Sequence, residues 1–215
     1  MHLLVAFGPT WEAIDPVRIL TNRSTGAMGV SVAREALRRG HRVSCVVGPC
    51  PQRPLRGTRW ISVENSRQME QAIKRLFPSC DALVMAAAVS DYRPRQSLTK
   101  KLKRKSHLTL HLEATPDIVG GLSRKKGKRT IVGFALESEN LLAKARRKLK
   151  EKKLDLLVAN QVNGTGHPFG DRVVSVVLLD REGHQTRFRS ISKKALARRI
   201  LDRIETRTTA RWPRR

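Results

Sequence analysis

The residues best suited to chemistry fall into four groups, and each also has a reading that needs no ligand. Gly8-Pro9-Thr10 is followed by a loop containing Arg18 and then by Asn22-Arg23-Ser24-Thr25-Gly26, where a helical pattern begins. Free backbone N–H groups at a helix start can hold an anion. No Gly-x-Gly-x-x-Gly joins the first apolar run to that helix, so this is not the dinucleotide fingerprint, and glycines for a tight turn and close packing are the alternative. The second group, ALVMAAAVSDYRP at 82–94, ends an apolar run in small residues and then Asp91. Alanines let a flat ring approach the backbone, whose N–H and C=O can read a base edge, while the carboxylate suits a ribose, a base amine or a metal. Tight core packing with Asp91 as a turn cap accounts for the same residues. Third, Lys100-Lys101-Leu102-Lys103-Arg104-Lys105 is either a solvated face or, because it sits in the polar insertion Arg93–Lys105, a flap over phosphates. Fourth, Lys148 and Lys152, spaced i, i+4, share one helix face and repel unless an anion lies between them, although a helix this basic gives such a pair by chance.

These groups lie between alternating elements. Apolar runs with strand character occur at Leu3–Phe7, Arg42–Val47, Trp60–Val63, Ala82–Ala87, Thr130–Ala135 and Leu154–Ala159. Helical periodicity predicts Met28–Arg39, Arg67–Leu76 opened by Ser66, Pro116–Ser123 with proline at the first helical position, and Asn140–Lys152. Such alternation implies an α/β fold, a Rossmann-like parallel sheet with helices on both faces. Val173–Leu179 and Gln185–Ser190 predict a C-terminal antiparallel hairpin, and a last helix runs from Lys193 to about Ile204. A further strand is expected at Leu108–Leu112, after the flap at 93–105. The reading is one domain over 1–207 and a frayed basic tail over 208–215. In an open parallel sheet ligands bind at the carboxyl ends of the strands, where the first two groups fall.

Composition narrows the partners. The 215 residues carry 44 Lys+Arg against 18 Asp+Glu, a net charge of +26, so polyanions are attracted. Nucleic acid, a nucleoside triphosphate and a phosphorylated substrate all qualify, but aromatics at 4%, with Tyr92 the only tyrosine, disfavour base-stacking platforms. Cys45, Cys50 and Cys80 match no metal spacing and are read as reduced and without chemical role. No apolar stretch is long enough for a membrane span, and the start lacks the features of a signal peptide, so a cytoplasmic protein with no membrane partner is expected.

Taken in order, the motifs resemble the bacterial phosphopantothenoylcysteine synthetase family over about Leu3 to Ile204. Gly8-Pro9-Thr10, Ile14-Asp15-Pro16-Val17-Arg18 and Thr21-Asn22-Arg23-Ser24-Thr25-Gly26 are similar to that family's GPT, IDPVR and SNRSSGKMG. AAAVSDYRP, a KxKK-like element from Lys101, Thr115-Pro116-Asp117-Ile118-Val119, Val132-Gly133-Phe134-Ala135, Lys148 with Lys152, and Asp155 to Asn160 follow at matching spacing. The resemblance implies a free-standing ligase that joins cysteine to 4'-phosphopantothenate through an acyl-cytidylate, with CTP as co-substrate, Mg2+ in attendance, and a homodimer as the assembly. It assigns Asn22 to the acyl-cytidylate, with Arg18 and Lys101 in support. The nucleotide site becomes Met85, Ala86, Ala87, Asp91, Lys101, Pro116, Asp117, Ile118, Val119, Phe134, Lys148 and Lys152. The substrate side becomes Gly8, Thr10, Arg23, Ser24 and Gly26, and metal ligands are left unassigned.

The chain departs from that pattern at Ala27, Trp11, Arg104 and Gln161, where the family carries Lys, a basic residue, Lys and Asp. The first two remove positive charge near the proposed phosphate loop. Because the chain begins directly at its first strand, no flavin chemistry is expected. The competing readings are a related nucleotide-dependent ligase of altered specificity, an NAD(P)-binding oxidoreductase, and a basic nucleic-acid-binding protein. The oxidoreductase lacks Gly-x-Gly-x-x-Gly and a Tyr-x-x-x-Lys dyad, and no specific nucleic-acid partner is expected.

Overall fold

The computed structural model describes residues 1–137, 139–161 and 169–211. The chain opens with the buried strand β1 (His2–Phe7). A short ribbon of β2 (Glu12–Ala13) and β3 (Ile19–Leu20) precedes helix α1 (Ala27–Arg38). Strands β4 (Arg42–Val47) and β5 (Thr58–Ser62), helix α2 (Ser66–Leu76) and strand β6 (Ala82–Met85) follow. A second ribbon, β7 (Tyr92–Pro94) with β8 (Leu112–Ala114), leads to α3 (Ile118–Ser123), β9 (Thr130–Glu137), α4 (Leu141–Glu151) and β10 (Leu156–Gln161). The hairpin β11 (Val174–Asp180) and β12 (Gln185–Ile191) and helix α5 (Lys193–Arg211) complete the fold.

The main sheet has the order β12-β11-β10-β9-β6-β1-β4-β5. Six strands from β10 to β5 are parallel, and β11 and β12 run antiparallel at one edge. The chain moves outward from β1 through β4 and β5 and then returns to the other side of β1 as β6, so the strand order reverses between β1 and β6. Alternation along β1 separates two cores. Leu3, Val5 and Phe7 pack with Val30 and Ala33 of α1 and with Leu196, Ile200 and Ile204 of α5. Leu4 and Ala6 face the other way, onto Met69 and Ile73 of α2, Ile118 and Leu122 of α3, and Ala145 and Leu149 of α4. The Rossmann-like α/β architecture with a C-terminal hairpin is therefore the one read from the sequence.

The boundaries that differ have local causes. The strand expected at Leu108–Leu112 forms instead at Leu112–Ala114, because Arg93 pairs with Glu113 at 2.7 Å and fixes Tyr92 opposite Ala114. Leu108 and Leu110 stay exposed despite their alternating pattern. Helix α3 starts two residues after Pro116, since Asp117 caps it by accepting the Gly120 N–H at 3.0 Å. Asn65, not Ser66, caps α2. Helix α5 continues to Arg211, so the boundary expected at 208 falls inside a helix. The Thr206 and Thr208 hydroxyls return to the Asp202 and Ile204 carbonyls, and Arg207 pairs with Glu182 at 2.6 Å. The last four residues lie outside the described set.

Candidate active site

Gly8, at φ 85, carries the chain off the end of β1 so closely over Gly48 that a Cβ there would lie 2.7 Å from the Gly48 carbonyl oxygen. That turn is zipped to the segment after β6. The Ala88 N–H donates to the Gly8 carbonyl at 2.9 Å, the Ser90 N–H to Thr10 Oγ1 at 3.0 Å, and Asn22 Nδ2 to the Ala88 carbonyl at 3.0 Å. Thr21 Oγ1 closes the loop by donating to the Thr10 carbonyl at 2.8 Å. Gly8 and fully buried Thr10 therefore shape the site from beneath rather than lining it.

At the reversal of strand order, β6 stops at Met85 opposite Gly133, while β9 runs on to Glu137. The resulting gap holds a cavity of about 560 Å³. Ala86 and Ala87 pass along it with their side chains in opposite cores. Asn22, Ser24, Gly26, Met85, Asp91, Pro116, Asp117, Ile118, Val119, Phe134, Lys148 and Lys152 also line it, so most sequence-assigned residues converge on one place. Gly26, at φ 70, opens α1 without a side-chain cap, leaving first-turn N–H groups at the cavity wall.

Lys148 of α4 and Lys152, the residue that ends that helix, each have a partner within the protein. Lys148 Nζ donates to the Phe134 carbonyl at 2.9 Å, and Lys152 pairs with Asp117 at 2.8 Å. Burial, and then the neighbouring Lys152 charge, lower the Lys148 pKa below the ordinary lysine value. Burial by itself would raise the Asp117 pKa, but hydrogen bonds from Lys152 and the Gly120 N–H bring it below the usual carboxylate value.

Arg18 and Lys101 are not part of this cavity. They border a separate groove with Val17 and Leu102 to Lys105. Arg18 Nη2 bonds the Leu102 carbonyl and Asp15, both at 2.6 Å, while Asp15 accepts the Leu102 N–H at 3.1 Å. Burial opposes ionisation of Asp15, yet the Leu102, Val17 and Arg18 amides and the Arg18 guanidinium hold its pKa at about 2. This pair thus anchors the basic insertion to the loop before α1. Arg23 is exposed and lies outside the cavity lining.

Sequence reasoning missed the wall made by the C-terminal half: Asn160, Phe169, Gly170, Val174, Lys193 and Leu196. Asn160 follows an apolar run at a strand's carboxyl end and was findable by that rule. Lys193 opens a surface-patterned helix and carried no signal. Among the described residues, no group of three or more His, Cys, Asp or Glu is arranged to hold a metal ion. Burial raises the thiol pKa of Cys45 and Cys80 to about 12, which leaves both inert at neutral pH. No helix among the described residues is long and apolar enough to cross a membrane.

Comparison with known proteins places the site in a family context. The family model described as the DNA/pantothenate metabolism flavoprotein C-terminal domain matches residues 1–208. The coenzyme A biosynthesis bifunctional protein CoaBC of Bacillus subtilis is 37% identical over 205 residues, covering 94% of this chain and 50% of that protein. The crystal structure of the C-terminal domain of a coenzyme A biosynthesis bifunctional protein CoaBC superposes with TM-score 0.82 at 33% identity, covering 95% of this chain and 94% of that one. Cab2 H337A in complex with phosphopantothenate-cysteine shares the fold, with TM-score 0.76 at 16% identity over 98% of this chain and 88% of that one. The chain spans about half the length of the curated relatives it matches.

Proposed function

The chain belongs to the DNA/pantothenate metabolism flavoprotein C-terminal domain family, and from that premise we propose that it is a phosphopantothenate–cysteine ligase of coenzyme A biosynthesis that uses CTP. The carboxylate of 4'-phosphopantothenate attacks the α-phosphorus of CTP and pyrophosphate leaves. The cysteine amine then attacks the acyl carbon of the acyl-cytidylate, loses a proton, and CMP leaves. The observation that carries this reading is the convergence of Asn22, Met85–Ala87, Asp91, Pro116–Val119, Phe134, Lys148 and Lys152, distant in sequence, on one cavity at the reversal of strand order.

Each part of the cavity suits one part of the reaction. The gap beside Ala86 and Ala87 admits a flat pyrimidine against main-chain donors and acceptors. Lys148 and Lys152 supply point charges that hold a triphosphate and release pyrophosphate. The Asn22 amide stands at the Ala88 carbonyl, beside the path of the acyl group, where a donor stabilises oxygen that gains charge. Asp91, in the cavity lining, is the carboxylate that would hold a Mg2+ ion arriving with the triphosphate. Bound there, the ion would supply charge neutralisation to the phosphates. The anchored basic insertion, with Lys101, serves the first half-reaction. A cytoplasmic homodimer completes the reading, and the exposed apolar residues Ile19, Tyr92 and Leu112 on the two ribbons support association.

The decisive assay supplies the protein with phosphopantothenate, cysteine, Mg2+ and each nucleoside triphosphate while pyrophosphate is measured. CTP is expected to exceed ATP by at least about tenfold in kcat/KM, or roughly 1.4 kcal/mol of differential transition-state binding. Equal use of both nucleotides would overturn the assignment of the base pocket.

A further inference from the structure

The wall of the cavity contributed by the C-terminal half is held by a lysine in a costly position. Lys193 is the first residue of α5, and no acidic residue stands in that first turn. Ser192 caps the helix by accepting the Ala195 N–H at 3.2 Å, so the Lys193 ammonium adds to the positive end of the helix dipole. Lys193 is half-buried and lines the cavity, and burial lowers its pKa below the ordinary lysine value. The dipole and desolvation disfavour a cation there while the Asp171 carboxylate favours it, and the main-chain bonds of the ammonium show what it holds in place.

Lys193 Nζ donates to the Gly170 carbonyl, and to the Arg172 carbonyl at 3.3 Å. Gly170, at φ 76, turns its N–H to Thr25 Oγ1, which accepts it at 3.1 Å. The Thr25 carbonyl is fixed in turn by Gln52 Nε2 at 3.0 Å. Lys193, Gly170 and Thr25 form a continuous chain from α5 to the uncapped turn that opens α1. That turn is on the cavity wall, and its N–H groups are suited to an anion.

We propose that Lys193 is a positioning residue for the phosphorylated substrate: acting through the Gly170 main chain, it holds Thr25 and the Ser24–Gly26 turn in the geometry that receives the substrate's phosphate. This rests on the ligase reading above. The tether acts on the end of the substrate remote from the reacting carboxylate. Its loss therefore weakens ground state and transition state alike, which raises KM without lowering kcat.

The test uses the full chain with Lys193→Met, Lys193→Arg, Thr25→Val and the Lys193→Met/Thr25→Val pair. In pyrophosphate release, Lys193→Met is expected to raise KM for phosphopantothenate about tenfold while kcat and KM for CTP stay within about twofold. Lys193→Arg restores most of the loss. Thr25→Val reproduces it, and the double variant is no worse than the poorer single one, because both act on Gly170. An unchanged KM in Lys193→Met, or effects that multiply in the double variant, would overturn the tether. Calorimetric titration with phosphopantothenate alone separates the two levels. Wild-type protein that binds it without releasing pyrophosphate overturns the ligase reading, and the tether is then judged on affinity in the same variants. Wild-type protein that turns over, beside a Lys193→Met protein of equal affinity, overturns the tether alone. Protein that neither binds nor turns over phosphopantothenate overturns both.

Discussion

Replacing Gly29 by alanine sets two effects of opposite sign against each other. Gly29 lies inside α1, where alanine is favoured over glycine by about 0.8–1.0 kcal/mol. A Cβ there would lie 2.2 Å from Phe7 Cβ and 2.5 Å from Cγ, whereas carbon atoms in contact prefer about 3.5–4.0 Å. The helix or the ring must therefore move by more than an ångström. Phe7 has no exposed surface and meets Trp60 edge-on at 5.4 Å, so its ring cannot swing away without giving up that contact. Overpacking of this kind costs about 1–3 kcal/mol, and contact with a strand side chain at its Cβ places it at the upper end. The net expectation is a loss of about 2 kcal/mol, or roughly 4–8 °C in Tm for a chain of this size. Differential scanning calorimetry would show it, and KM for phosphopantothenate would rise as well, because the displaced helix carries Ser24 to Met28 of the cavity wall. Gly121→Ala is the control: a Cβ there meets nothing within 4 Å, so Tm should hold or rise. A Gly29→Ala protein as stable as wild type would refute the packing argument.

Asn22→Asp turns a donor toward the Ala88 carbonyl into an acceptor, so kcat should fall by about 10²–10³. Quenched-flow mass spectrometry should then find the acyl-cytidylate accumulating, and near-normal turnover would show that the amide is structural. Lys148→Met should raise KM for CTP about ten- to a hundredfold, as expected for losing a bond of about 1.5–3 kcal/mol to a charged group. Because the Lys148 pKa is lowered, its attraction for the triphosphate is complete below that value and fades as pH rises through it. The wild-type KM for CTP should climb at a lower pH than an ordinary lysine would give, and Lys148→Met should flatten that climb; identical pH profiles would reject the role. Lys101→Ala should slow pyrophosphate release in the first half-reaction, and an unchanged rate would leave the basic insertion as a solvated face.

What the sequence made legible is what period and punctuation encode. The runs at Leu3–Phe7 and Arg42–Val47 are buried strands bounded by glycine, and the position of Asp91 beyond the carboxyl end of β6 follows from the geometry of a parallel sheet. Other features depended on partners that a linear pattern does not name. The TLHL alternation at 109–112 has a strand's period, but pairing was decided by the Arg93–Glu113 ion pair. Lysine spacing left a shared anion and a chance pair both open and named neither partner the structure gives, a carbonyl for Lys148 and a carboxylate for Lys152. The resemblance assigned Arg18 to the support of the acyl-cytidylate, and no linear pattern showed that its guanidinium also holds the insertion at Leu102. The C-terminal wall was hidden because Lys193 reads as an ordinary surface lysine until the hairpin brings Gly170 to it.

The kind of partner each lysine takes also bears on why the cavity attracts anions although its cations are already bonded. A carbonyl offers a dipole and leaves the ammonium's net charge uncancelled, whereas a carboxylate cancels it. Lys148 takes the Phe134 carbonyl, and burial followed by the neighbouring Lys152 charge lowers its pKa. Lys152 is paired with Asp117, which also caps α3. An arriving triphosphate therefore meets the uncancelled charge of Lys148 at once, but must displace Asp117 before it can take Lys152. Asp117→Asn keeps an oxygen for the Gly120 N–H while removing that competition, so it should lower KM for CTP and leave stability nearly unchanged. If calorimetry instead finds CTP bound more weakly by Asp117→Asn, then the carboxylate orients Lys152 for the nucleotide, and the reasoning from charge cancellation fails.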